Sequence, residues 1–175
     1  MSGPLPVYLD TRKVFLQQLQ LDGDIELARL PRLRQMLASN DGSISAKLDC
    51  DIDDNGLRRL SGQVSASLNV SCQRCLEPVE IRIQDDINLA VLTDEEQARD
   101  LDPALDPWIC ADIKLDLAEL LEEQLILSLP VVTNHEDRDC LGQTSFGEDE
   151  ARQGDRTSRD HPFAALKALK KDGTV

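Results

Sequence analysis

At 175 residues, with 41% hydrophobic but only 3% aromatic side chains, the chain is long enough for one domain whose core must be built from Leu, Ile, Val and Ala. Its longest apolar stretches, such as "LILSLPVV", fall far short of the ~20 residues of a membrane span, and "MSGPLPVYLDTRK" lacks the basic region and long apolar run of a secretory signal. A net charge of −14 argues against a protein that grips a phosphate backbone by bulk electrostatics, and five cysteines, an odd number, argue against a complete disulfide framework and for the cytoplasm.

In chain order, "VFLQQLQLDGDIEL" (residues 14–27) reads as strand-like and "LPRLRQMLAS" (30–39) as a short helix. The clearest signal follows. Ile44, Ala46, Leu48, Cys50 and Ile52 alternate with Ser45, Lys47, Asp49, Asp51 and Asp53, the period of a half-buried strand. Asn55-Gly56 then supplies a tight turn, because both residue types tolerate positive φ. Leu60, Val64, Ala66, Leu68 and Val70 continue the alternation on a return strand. A third run, Val79, Ile81 and Ile83, resumes at Ile87, Leu89 and Val91. The pattern predicts an antiparallel meander with one buried face.

"TDEEQARDLDPALDP" (93–107) is expected to be a surface loop with a short helical turn, and "WICADIK" (108–114) another strand. "LDLAELLEEQLILSLP" predicts the principal helix, with Asp116 as its cap, Glu119 three residues on, and Leu117, Leu121 and Leu125 on one face. Glu122 and Glu123 are placed on the polar side of that helix, where they read as solvated rather than catalytic. Residues 142–160 carry almost no apolar side chains and are expected to form a disordered linker. In "HPFAALKALKK" a proline suited to a first helical turn precedes Phe163, Leu166 and Leu169 on one side. The fold expected is therefore α+β: a single domain over 1–141, a linker over 142–160 and an amphipathic segment over 161–175.

The chemistry sits with the cysteines. Cys72 and Cys75 fall at the turn between the second and third strands, as in a zinc knuckle, and "NHEDRDC" offers His135 and Cys140 as the matching half. Three readings stay open: a zinc site of Cys72, Cys75, His135 and Cys140; unmetallated structural thiols; and a redox pair assisted by Arg74. The redox reading is the weakest, since a strand and not a helix follows the pair. Cys50 and Cys110 lie in strand-like runs and read as core. The sequence contains no phosphate-binding loop, nucleophile elbow or HExxH, and so no recognisable active site.

The charge is unevenly spread. Residues 41–141 carry eight basic and 23 acidic groups, net −15, while residues 1–40 carry +1 and residues 142–175 zero. The acidic core favours a basic protein partner over naked nucleic acid.

Taken together, "CQRCLEPV", "LAELLEEQLILSLPVV", "HEDRDC" and the terminal "HPFAALKALKK" resemble the YceD family of large ribosomal RNA subunit accumulation proteins, from about residue 44 to residue 171. The resemblance implies a factor needed for synthesis, processing or stability of large-subunit (23S) ribosomal RNA. Cys72, Cys75 and Cys140 match family cysteines, and His135 falls where other branches place cysteine, an exchange that zinc accepts. Pro162, Phe163, Leu166 and Leu169 match the closing motif. The function expected is non-enzymatic. The acidic domain would hold a basic ribosomal protein or assembly factor of the large subunit, and Pro162, Phe163, Leu166, Leu169 and Lys170 would dock a partner, unless that segment folds back on its own sheet. A direct ribosomal RNA contact and a thiol redox protein are the alternatives.

Overall fold

The computed structural model describes residues 3–137 and 139–141. It begins with strands β1 (Gly3–Pro4) and β2 (Tyr8–Asp10), helix α1 (Thr11–Leu16) and strand β3 (Gln20–Asp24). The stretch 14–27, expected to be strand-like, is thus a strand only in part. The Asp10 carboxylate accepts from the Arg12 N–H at 3.0 Å and opens a helical turn that buries Val14 and Phe15. Gln18, at φ +48, ends it and turns the chain into β3. Local capping outweighed the alternation of the run. A 3₁₀ turn (Leu27–Arg29) and helix α2 (Pro31–Met36) follow, the latter where a helix was expected.

The meander forms as its alternation predicts. Strands β4 (Gly42–Ile52), β5 (Arg58–Ser71) and β6 (Pro78–Leu92) pair antiparallel in unbroken register, with Leu60 opposite both Cys50 and Leu89. Two interruptions in that alternation have physical causes. Position 62 is Gly because a Cβ there would lie 2.0 Å from the Lys47 carbonyl oxygen. Position 85 puts a carboxylate on the inward face, where Asp85 accepts from Gln124 Nε2 at 2.7 Å and from the Ser128 hydroxyl. The Ser128 and Gln124 hydrogen bonds hold its pKa below the usual carboxylate value.

After a 3₁₀ turn (Glu95–Asp100) the chain forms strands β7 (Asp106–Ile109) and β8 (Lys114–Asp116), then helix α3 (Leu117–Leu127). The segment "WICADIK" is therefore divided rather than one strand. Trp108 and Ile109 pair with β6 in parallel, whereas Lys114 belongs to a second, two-stranded sheet with β2. The main sheet has the order β1-β3-β4-β5-β6-β7, with β1 and β7 parallel to their neighbours. The α+β class holds.

Helix α3 is built as expected at its start, where Asp116 accepts from the Glu119 N–H at 3.1 Å. Leu117, Leu120, Leu121 and Leu125 are fully buried in one core with Leu30, Leu33, Leu60 and Leu68. Burial of a leucine contributes about 1.5–3 kcal/mol, so this face dominates the docking of the helix. Glu122 departs from expectation: it is only 4% exposed. Its Oε1 accepts from the N–H groups of Arg32 and Leu33 at 2.7 and 3.0 Å, at the start of α2, which has no side-chain cap of its own. A carboxylate on α3 thus caps α2, and the neighbouring Glu123 pairs with the Arg32 guanidinium at 2.9 Å.

Candidate metal centre

The turn joining β5 to β6, residues 72–77, is tightened by its own backbone: the Cys72 N–H donates to the Glu77 carbonyl and the Leu76 N–H to the Cys72 carbonyl, both at 2.9 Å. Leu76 takes a left-handed φ of +65 there. The segment leaving α3 is laid against this turn. The Gln73 N–H donates to the Thr133 carbonyl at 2.8 Å, its side chain to the Val131 carbonyl at 3.0 Å, and the Thr133 hydroxyl to the Ser71 carbonyl at 2.9 Å. Arg74, expected to act on the thiols by its charge, donates to the backbone carbonyls of His135 and Asp137. These contacts fix where His135 and Cys140 can be.

The result is that Cys72, Cys75, His135 and Cys140 converge, with their four ligand atoms all within 4.8 Å of one another. Cys72 and Cys140 sulfurs lie 4.0 Å apart, and Cys75 Sγ is 3.3 Å from His135 Nδ1. A tetrahedral zinc with bonds of about 2.3 Å to sulfur and 2.0 Å to nitrogen would set such separations near ~3.5–3.8 Å. The set therefore fits a metal ion with small adjustments, and these four residues could hold one. All five cysteines of the chain are free thiols.

The histidine tautomer follows from its other partner. His135 Nε2 lies 3.1 Å from the Pro78 carbonyl oxygen, which can only accept. Nε2 therefore carries the proton, and Nδ1 turns its lone pair to the sulfurs, the orientation that metal-bound imidazoles take when a backbone carbonyl holds their outer N–H. The thiols are electrostatically unequal. Desolvation opposes ionisation of Cys72, but N–H groups of Cys75, Arg74 and His135 and the Cys75 thiol outweigh it and bring the pKa down to about 5. Desolvation and the hydrogen bonds to Cys75 and Cys72 push Cys140 up to about 11.

Both halves read from the sequence thus meet, although about 60 residues separate them. What the sequence did not reveal are the fasteners, Gln73, Arg74, Pro78 and Thr133, because backbone carbonyl acceptors leave no side-chain signature. Cys50 is buried and Cys110 packs partly buried against the core, as expected. Desolvation raises the Cys50 thiol to about 11 and also raises that of Cys110. Pro162, Phe163, Leu166, Leu169 and Lys170 lie outside the described residues, as do the linker and the terminal segment.

Among the described residues, no helix is long and apolar enough to cross a membrane. No solved structure matches the chain. The large ribosomal RNA subunit accumulation protein YceD of Haemophilus influenzae is 26% identical over 170 residues, covering 95% of this chain and 96% of that protein. The family model "Large ribosomal RNA subunit accumulation protein YceD" matches residues 60–170, a span that runs from the second long strand through both halves of the cysteine cluster. With well over half of its length inside that match, the chain belongs to the YceD family.

Proposed function

We propose that this protein is a non-enzymatic cytoplasmic factor for the accumulation of large-subunit (23S) ribosomal RNA, acting through a basic protein partner, a ribosomal protein or assembly factor of that subunit. The family match carries the reading. The net charge of −15 over residues 41–141 supports the choice of partner, because such a surface attracts cationic proteins and repels a phosphate backbone. The amphipathic motif Pro162, Phe163, Leu166 and Leu169, with Lys170, is the second docking element of this reading.

The cysteine cluster serves the same function as a structural zinc centre of Cys72, Cys75, His135 and Cys140. Three thiolates and Zn²⁺ leave one negative charge, which the Arg74 guanidinium beside the site offsets. All four positions are taken by protein, which marks a structural rather than a catalytic zinc.

Depletion of the protein is expected to lower mature 23S RNA relative to 16S RNA, and balanced subunit profiles would reject the role. Capture of the partner from lysate should survive nuclease treatment; binding to RNA that weakens steeply with salt would replace the protein-partner reading by direct RNA contact. Elemental analysis of protein purified without chelator should find about one zinc per chain.

A further inference from the structure

The end of the main sheet opposite the cysteines holds a cavity of about 680 Å³. With β5 rising ~3.3 Å per residue, its Arg58 end lies roughly 40 Å from the cysteine turn at its other end. The cavity is walled by the β4–β5 turn, the start of β5, the end of β6 and the loop over residues 93–105.

Arg58 and Arg59 both line it, and neither has a carboxylate within ion-pair distance among the described residues. Elsewhere Arg32 pairs with Glu123 and Arg82 with Glu80. Among the described residues the buried Nε of Arg59 has no hydrogen-bond acceptor, and its guanidinium reaches only the side-chain oxygen of Asn88, at 3.4 Å. The wall also carries Asp53, Asp100 and Asp102, and Asp51 stands opposite Arg59 in the β4–β5 register, but none of them forms an ion pair with either arginine. Asp53 accepts from the N–H groups of Asn55 and Leu57 and Asp102 from that of Ala104, while Asp100 forms no ion pair with either arginine. Asn88 also donates to the Ala104 carbonyl at 2.7 Å, so the residue that holds Arg59 also holds the loop forming the far wall.

The buried Arg59 Nε, left without an acceptor among the described residues, is costly, and an oxyanion in the cavity would remove that cost through a charge-assisted hydrogen bond. The geometry points to a binding site for a small oxyanionic ligand, a phosphoryl or carboxylate group carried on a small molecule, held by Arg59 with Arg58 beside it. The volume lies in the range of small-molecule sites, about 300–1,000 Å³. A nucleic-acid strand is the poorer fit, since its many phosphates would face the whole acidic domain. This inference stands independently of the ribosomal role.

The test is an NMR titration of the full-length protein with inorganic phosphate, with malonate, and with a short single-stranded RNA, at constant ionic strength. Saturable shifts at amides of residues 57–59, 88 and 93–105 with phosphate or malonate are expected, and the tighter of the two identifies the group. Arg59→Gln should weaken that binding by about tenfold or more, and Arg58→Gln less, with folding verified by an unchanged spectrum elsewhere. Arg82→Gln, on an exposed ion pair, should leave it unchanged. Shifts that do not saturate, that survive Arg59→Gln, or that arise with RNA alone would overturn the assignment.

Discussion

Two turns bracket β5, and they are closed by opposite means. The turn over residues 53–57 is self-contained: the Gly56 N–H donates to the Asp53 carbonyl, the Leu57 N–H to Asp53 Oδ1 at 2.8 Å, and the left-handed position is a glycine, at φ +83. The turn over residues 72–77 places a leucine in the left-handed region, at φ +65, and leaves its side chain 77% exposed. A left-handed L-residue costs roughly 1–2 kcal/mol, which nothing buried around Leu76 repays. Such a conformation persists only where its surroundings over-determine it, and here the turn's own two backbone hydrogen bonds are joined by the contacts that the segment leaving α3 makes with Ser71, Gln73 and Arg74. One turn is encoded locally. The other is also fastened by a segment some 60 residues away.

Cys72→Ser should break the comparison most severely. It removes a proposed zinc ligand and an inward sulfur that is wholly buried, and loss of the proposed metal site would belong to the class of changes that cost about 4 kcal/mol or more. Amide exchange is the sharper readout. Residues 72–77 and 131–140 are expected to lose protection together, while Gly56 and Leu57 keep theirs, because metal binding and the folding of its ligand segments are one equilibrium. If the two turns respond alike, or if residues 131–140 stay protected, the cluster does not fasten the two segments.

This difference also marks how far the sequence could be read. Periodicity exposed β4, β5 and β6, because side-chain alternation is a local property of a half-buried strand. The two irregular positions were visible as gaps, yet their causes were not: the partner of Gly62 is a carbonyl on β4, and the partners of Asp85 are on α3. Glu122 was misplaced for the same reason. Its position on α3 suggested solvent, whereas its role is set by the uncapped start of α2, 90 residues away in sequence. The four metal-ligand candidates were legible because zinc chemistry admits few residue types. Contacts made through backbone carbonyls have no such vocabulary.

Gly56→Ala sharpens the contrast from the local side. It forces an L-residue into a left-handed position in open space, with no atom within 4 Å of the added Cβ, so strain is the whole effect. A loss of about 1 kcal/mol is expected in urea unfolding, with an unchanged denaturant slope. No change would mean that the turn relaxes, and that its glycine is not what closes it.

Leu76→Gly makes the reverse exchange and carries the smallest effect. Glycine removes the left-handed penalty of roughly 1–2 kcal/mol, but its freer unfolded chain returns about 0.5–1 kcal/mol of that gain. Little burial is lost from so exposed a side chain. The net expectation is a stabilisation of about 0.5 kcal/mol, read as a higher urea midpoint at constant slope. Asn is a second probe, since it tolerates the left-handed region without glycine's entropy, and should stabilise at least as much. Made in the Cys72→Ser background, either replacement should lose its benefit. A turn released from residues 131–140 is free to leave the left-handed conformation, so no strain is left to relieve. A gain that persists there would show that the turn is held by its own backbone hydrogen bonds and not by the cysteine clasp.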